Sequence, residues 1–502
     1  MKYMFIILTG CVAISKISCH EVDSLTFPTG MLFGAATSAF QTEGAWNVSG
    51  KGVSNWDYWT HQCPQCIADG NNIEITCNSY YKYKEDVALL KKIGFNYYRF
   101  SISWTRILPH GLKTKVNRAG IEHYLNLTKT LIANGIEPMV TIYHFDHPQT
   151  LEDMGGWMNK HMVKWFAQYA RIIFKELGPY VKIFTTINEP QKLCQGYEGN
   201  SMSPGKSLLD YGEYTCITNV LKAHATAYHI YDKEFRETQG GQIGITNPCD
   251  GFVFDETNDT ISADIGFQFG CGVIGHPIYK GDFSKVMKER IANCSKAEDY
   301  PESRLPTLTE QWISFIKGSS DYFGLNHYSS VIWLPDPNET LGRYSSDSGL
   351  IRKTRPEWIT GSDSTTKIVP EGFGNLLRKI KEEYDNPLVY VTENGFPDHG
   401  EMKDYDRIKY YRTYMEEMFK AVKRDGCRVE RYTIWSLMDN FELNSGYAAR
   451  FGIIKVNFTS PNRERTPKLS ASWWKFILRT HKLHDLPRKY AAAEQNVTKG
   501  SR

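Results

Sequence analysis

Two glutamates stand at the ends of strand-like runs, Glu189 in "FTTINEPQ" and Glu393 in "VYVTENG". In the first run Phe184, Thr185, Thr186 and Ile187 are bulky or β-branched strand formers, and Pro190 stops the ladder because it has no N–H to donate. One glutamate ending a buried strand is most simply half of a structural ion pair. Two at equivalent strand ends, flanked by Asn188 and Asn394, are what hydrolysis of a glycosidic bond requires. One carboxyl stays protonated to donate to the leaving oxygen; the other is ionised to attack the anomeric carbon. Environments that push the two pKa values apart assign the roles, and Arg99 could hold one carboxylate ionised by pairing with it.

Such side chains need elements that aim them at one point. Strand-like runs begin at Leu32, Phe95, Pro138, Val181, Gly241, Asp321, Pro387 and Arg431. Amphipathic stretches, such as those from Lys84, Met162 and Asp404, lie between them with apolar residues at spacings of three and four. Near-continuous apolar strands alternating with helices predict a parallel sheet covered on both faces. Eight such units, with no linker, repeat or low-complexity block, predict an α/β fold, a single-domain (β/α)8 TIM barrel. A doubly wound open sheet is the alternative, but no G-x-G-x-x-G follows the first strand. In a barrel the site lies at the C-terminal strand ends. Nearly every run ends in a polar or aromatic residue: Gln41, Arg99, His144, Asn188 with Glu189, Asn326 with Tyr328, Glu393, and Trp435. Gathered on one face, these suit a polyhydroxylated ligand.

The bulk composition is that of a globular chain of 502 residues, 41% hydrophobic. Lys plus Arg at 59 nearly balances Asp plus Glu at 56, which gives no basic face for nucleic acid. Residues 1–19 carry Lys2, an apolar run from Met4 to Ile14 and then small residues, the pattern of a cleaved signal peptide too short to span a bilayer. The expected organisation is therefore a leader at 1–19, one domain at 20–490 and a polar tail at 491–502. No other stretch is apolar enough for a membrane, so a secreted or lumenal protein is expected. Sequons at Asn47, Asn126, Asn258, Asn293, Asn338, Asn457 and Asn496 agree with that route as N-glycosylation acceptors.

Of 11 cysteines, discounting Cys11 and Cys19 leaves an odd number, so at least one thiol is free or paired between chains. Cys63-Pro-Gln-Cys66 has metal-type spacing but lacks a second ligand pair, so a loop disulfide involving Cys63, Cys66 or Cys77 is expected. No metal cluster, phosphate loop or dinucleotide motif is visible, and no cofactor is expected. His123 and His224 read as surface or core residues. Oligomeric state stays open.

"TINEP" and "VTENG", with "QTEGAW" from Gln41, "YHFDHPQ" from Tyr143, "FGLNHY" from Phe323 and "WSLMDNFELNSGY" from Trp435, resemble in order the motifs of glycoside hydrolase family 1. The resemblance spans roughly residues 25 to 485 and is closest in flavour to insect β-glucosidases and insect myrosinases (β-thioglucosidases). It implies a retaining enzyme with Glu189 as acid/base and Glu393 as nucleophile, their carboxyls about 5–5.5 Å apart. It further implies that Gln41, His144, Asn188 and Glu442 bind sugar hydroxyls and that Trp435 stacks beneath the ring. Tyr328 would hold the nucleophile, Leu443 and Phe451 would line the pocket, and Arg99 and Asn326 would support it.

The chain also departs from that family. Phe145 stands where a Trp usually follows the histidine, and Leu443 where a Trp usually follows Glu442. Leucine cannot donate the lost hydrogen bond, worth about 0.5–1.5 kcal/mol. Thr365 and Thr366 occupy the region of an aglycone-side Trp. Arg352, Lys353 and Arg355 fall in the connection between strands six and seven, and Lys192 lies just past Glu189. As solvated surface these cations do nothing; facing the cleft, they would favour an anionic aglycone such as a sulfated thioglucoside. Plant myrosinases replace the acid/base glutamate with glutamine; Glu189 is retained, so O- and S-glycosidase are not separated. The expected function is a secreted retaining β-glycosidase acting on small O- or S-linked β-glucosides. The alternatives are a dedicated myrosinase for anionic glucosinolates and, from another class, a catalytically inactive sugar-binding module, against which both intact glutamates argue.

Overall fold

Eight strands close into a barrel in the computed structural model, which describes residues 25–208, 211–338 and 341–484. They are β1 (Leu32–Ala36), β2 (Tyr97–Ser101), β3 (Glu137–Tyr143), β4 (Ile183–Asn188), β5 (Gln242–Pro248), β6 (Phe323–Asn326), β7 (Val389–Glu393) and β8 (Val429–Trp435). Each runs parallel to its neighbours in sequence, and β8 closes on β1 in a register running from Leu32↔Arg431 to Ala36↔Trp435. Six lie within the apolar runs read from the sequence, while β3 and β8 begin one and two residues before theirs, and closure rules out the open doubly wound sheet. The expected leader at 1–19, the expected tail at 491–502 and Asn496 lie outside the described residues.

Helices pack outside the strands: α1 (Ser79–Ile93), α2 (Arg118–Ala133), α3 (Met162–Leu177), α4 (Pro190–Glu198), α5 (Gly212–Glu234), α6 (Glu310–Ile316), α7 (Pro370–Glu383) and α8 (Tyr405–Lys423). The spacing of α3 shows why: Met162, Phe166, Ala170, Ile173, Phe174 and Leu177 recur at three and four and are buried against the barrel. Among the described residues no helix is long and apolar enough to cross a membrane.

The barrel is filled, not hollow. Tyr97, Met139, Ile183, Tyr322 and Tyr390 plug its N-terminal end. The phenols reach partners: Tyr97 pairs with the Thr433 hydroxyl at 2.7 Å, and Tyr322 donates to the Phe184 carbonyl at 2.9 Å. Side chains alternate along a strand, so Arg99, two residues beyond Tyr97, points into the same interior one layer higher. Beyond the barrel, a small sheet of Gly251–Phe252, Ser330–Pro335 and Leu350–Lys353 is built from the loops after β5 and β6.

Cys63 and Cys66 form the expected loop disulfide. Two further bridges, Cys194–Cys216 and Cys249–Cys271, were not anticipated, because connectivity cannot be read from spacing. Cys77 is buried and free, its thiol donating to the Asp439 carbonyl at 3.0 Å; Cys294 and Cys427 are also free thiols. The sequon asparagines Asn47, Asn126, Asn258, Asn293, Asn338 and Asn457 are all exposed. His123 and His224 are both buried, the latter bonded to the Thr186 hydroxyl at 2.7 Å.

Candidate active site

The C-terminal strand ends open into a cleft of about 620 Å³. Every residue expected to touch substrate, from Gln41 to Phe451 and including both glutamates, lines it. The strand-end reading needs three local adjustments. Gln41 sits on a short helical turn, Ala39–Thr42, after β1; Arg99 lies in mid-strand; and Tyr328 lies two residues past β6.

Glu189 follows the last residue of β4 and precedes α4. Its backbone takes φ 42°, a left-handed conformation that costs a non-glycine residue about 1–3 kcal/mol. Its N–H is anchored to the Thr246 carbonyl of β5 at 3.0 Å, and Pro190 at the first helical position starts α4. The strained turn aims the carboxyl into the cleft, where Oε1 accepts from Asn326 Nδ2 at 2.7 Å. Burial, and then the nearby Glu393 charge, push the Glu189 carboxyl up to about 7. Asn326 is itself fixed, because Thr392 donates to its Oδ1 at 2.7 Å.

Glu393 ends β7 and is 3% exposed, so its partners decide what it can do. Arg99 Nη1 donates to Oε1 in a buried ion pair, and Tyr328 Oη donates to Oε2 at 2.5 Å. The same guanidinium donates through Nη2 to Asn188 Oδ1 at 2.6 Å, so one buried arginine positions a carboxylate and an amide together. Asn188 Nδ2 in turn bonds His144 Nε2 at 3.2 Å. Burial and the Arg99 charge hold His144 well below the usual histidine range, in its neutral form.

On the other wall Gln41 is oriented by a donor and two acceptors. Ser38 Oγ donates to its Oε1 at 2.6 Å, and its Nε2 donates to the Phe441 carbonyl at 2.9 Å and to Asn440 Oδ1 at 3.2 Å. Trp435 Nε1 donates to Glu442 Oε2 at 3.3 Å, and its ring stacks against His144 with centroids 5.7 Å apart. Desolvation, with Glu393, Asp363 and Glu189 as like charges, pushes the Glu442 carboxyl up to about 8. Three carboxyls around one cleft with few donors between them favour a ligand that brings hydroxyl donors, as a sugar does.

Leu443 begins a one-turn segment at φ 49° and lines the cleft beside Asn444 and Ser445. Phe145 also has a positive φ, of 74°, and its ring packs edge-on to His144. Thr365 and Thr366 also line the cleft.

The basic stretch divides between its two readings. Arg352 lines the cleft, but Lys353 and Arg355 do not, and Arg355 donates instead to the Phe254 carbonyl at 3.0 Å. Arg352 is not a free cation either. It pairs with Asp250 at 2.8 Å and lies 5.7 Å over the Trp333 ring. Lys192 lines the same wall near Glu189. Asp250, Asp363, Ser201 and Met202 line the cleft too and were missed, since loop residues carry no periodic signal. Among the described residues no group of three or more His, Cys, Asp or Glu converges as metal ligands.

Comparison with known proteins gives the same picture. The model of glycosyl hydrolase family 1 matches residues 23–483. Myrosinase 1 of Brevicoryne brassicae is 40% identical over 464 residues, covering 91% of this chain and 99% of that protein. The solved structure of aphid myrosinase superposes with a TM-score of 0.87 at 40% identity, covering 90% of this chain and 99% of that one. A rice β-glucosidase solved in covalent complex with glucose has a TM-score of 0.85 at 34% identity, with 90% and 99% covered.

Proposed function

The chain belongs to glycosyl hydrolase family 1, and on that premise we propose that it is a retaining β-glycosidase of small O- or S-linked β-glucosides, with Glu189 as acid/base and Glu393 as nucleophile. The observation that carries the assignment is the contrast between the two carboxyls. Glu393 accepts from Arg99 and Tyr328 on its two oxygens, whereas Glu189 has one amide donor and is pushed up to about 7. The first is arranged as an acceptor-only carboxylate; the second keeps a proton to give.

The steps follow from that contrast. A Glu393 oxygen attacks the anomeric carbon as the bond to the leaving group breaks, and Glu189 delivers its proton to the departing atom. The product is an ester between sugar and Glu393, which removes the negative charge that helped to raise Glu189. Glu189, now ionised and of lower pKa, takes a proton from a water whose oxygen attacks the same carbon; the bond from that carbon to Glu393 breaks, Glu393 departs as a carboxylate, and the free β-sugar leaves. Gln41, His144, Asn188 and Glu442 bind the sugar hydroxyls, with Trp435 beneath the ring.

The dedicated myrosinase is the second reading, favoured by Arg352 and Lys192 on the aglycone side of the cleft. Asp250 and Asp363 in the same wall weaken it. We place the mature domain, 20–490, outside the cytosol after removal of the leader, 1–19, with glycans on the exposed sequons and 491–502 as a tail. The three disulfides support an oxidising compartment. Side-by-side kcat/KM on a neutral aryl β-glucoside and an aliphatic glucosinolate tests the substrate. Preference for the neutral glucoside supports the general β-glucosidase, preference for the glucosinolate the myrosinase, and no turnover of either refutes both.

A further inference from the structure

A groove on the outer wall of the barrel shares no lining residue with the cleft. It runs between α3 and α5, is bounded by Trp312 of α6, and has a volume of about 610 Å³. Lys160, Lys164, Arg171 and Lys222 line it, and among the described residues no carboxylate does. Arg171 is neutralised by Glu234 at 2.8 Å. No ion pair engages the three lysines among the described residues. Lys222 is half-buried with its ammonium 5.3 Å from the Trp312 ring centre, and burial alone pushes its pKa down. An ammonium drawn out of water without a counter-charge carries a desolvation cost that an anion in the groove would offset.

The spacing selects the kind of anion. Lys164 and Arg171 are seven residues apart on α3, about 10 Å along the helix, and Lys222 faces them from α5. Arg171 is shared with Glu234, so the charge left for a ligand is that of Lys160, Lys164 and Lys222 on two facing walls, three cations that suit a chain bearing several anionic groups better than one inorganic ion. Between the cations lie the Gln168 amide, the Thr226 hydroxyl and the half-exposed Trp312 indole. These groups bind sugar hydroxyls and the apolar face of a pyranose ring. A peptide fits less well, because helical walls offer no strand edge for it to extend.

We propose that this groove binds an acidic polysaccharide, a linear sugar chain bearing carboxylate or sulfate groups, and tethers the protein to that polymer while the cleft stays open. The test measures affinity of the full chain for polygalacturonate, dextran sulfate, neutral dextran and poly-glutamate. It compares native protein with a Lys160→Gln, Lys164→Gln, Lys222→Gln variant and with a control carrying Lys92→Gln, Lys296→Gln and Lys475→Gln at exposed sites elsewhere. The groove variant is expected to lose roughly tenfold or more in affinity for a charged polysaccharide. Its kcat/KM on an aryl β-glucoside should stay native, which checks folding, and the control should lose less than about twofold. Loss for polygalacturonate alone identifies carboxylate as the recognised group, and loss for dextran sulfate alone identifies sulfate. Unchanged affinity in the groove variant, equal losses in the control, equal binding of neutral dextran, or poly-glutamate bound as tightly as the sugars would each overturn the proposal.

Discussion

Replacing Glu189 with glutamine keeps the side chain's volume and its Oε1 acceptor for Asn326, 2.7 Å away, but leaves no proton to give. The native carboxyl, pushed up to about 7 from 4.5, is about nine-tenths protonated at pH 6, where an unshifted glutamate would be about 3% protonated. The cleft thus supplies about thirtyfold more of the acid form at that pH. General-acid assistance is worth about 10²–10⁴-fold. For phenyl β-glucoside, whose leaving group is basic, kcat/KM should fall by roughly 10³, about 4 kcal/mol of transition-state stabilisation. For 2,4-dinitrophenyl β-glucoside, whose phenolate departs unassisted, the loss should stay under roughly tenfold. The assay is steady-state kinetics on both substrates across pH. Native activity on the phenyl glucoside should fall as pH rises through about 7, because Glu189 loses its proton there, and the variant should lack that limb. Equal losses on the two substrates, or native turnover of the phenyl glucoside by the variant, would refute the assignment.

Leu443→Trp puts an N–H donor on the cleft wall and should lower KM for simple aryl glucosides by up to roughly tenfold, the worth of one neutral hydrogen bond; a raised KM would mark the leucine as part of a remodelled pocket. Arg352→Gln leaves Asp250 unneutralised beside the cleft and should raise KM for an anionic glucosinolate by roughly tenfold with little change for neutral glucosides. Equal effects on both substrate types would reject an anion-binding role. Removing the Cys194–Cys216 bridge by double serine substitution should cost about 3 kcal/mol, from its sequence separation of 22, and lower Tm by several degrees in calorimetry. An unchanged Tm would show that the bridge constrains little.

The barrel was legible because its strands are parallel and covered on both faces, which writes each one as a continuous apolar run. The two glutamates were legible for the same reason, since a carboxylate ending such a run is conspicuous. Arg99 was recognised as a partner but set at the strand end, although alternation along β2 puts it in the interior two residues above Tyr97. The basic stretch shows the same rule overlooked. Arg352 and Lys353 belong to one short strand, so their side chains point to opposite faces and only one can line the cleft. The Arg352–Asp250 pair and the two long-range disulfides were out of reach of any local pattern. Each disulfide closes within one connection, β4 to β5 or β5 to β6, and the ion pair joins the connections after β5 and β6, so their proximity is created by the folding of those loops.

The most direct test of the account is to trap the enzyme with 2,4-dinitrophenyl 2-deoxy-2-fluoro-β-glucoside, whose fluorine slows both formation and breakdown of a covalent intermediate while the good dinitrophenolate leaving group keeps formation fast. The account predicts time-dependent inactivation, a mass increase of one 2-deoxy-2-fluoroglucosyl unit on the intact chain, and its location on the peptide containing Glu393. No adduct, or an adduct on Glu189 or any other residue, would contradict it.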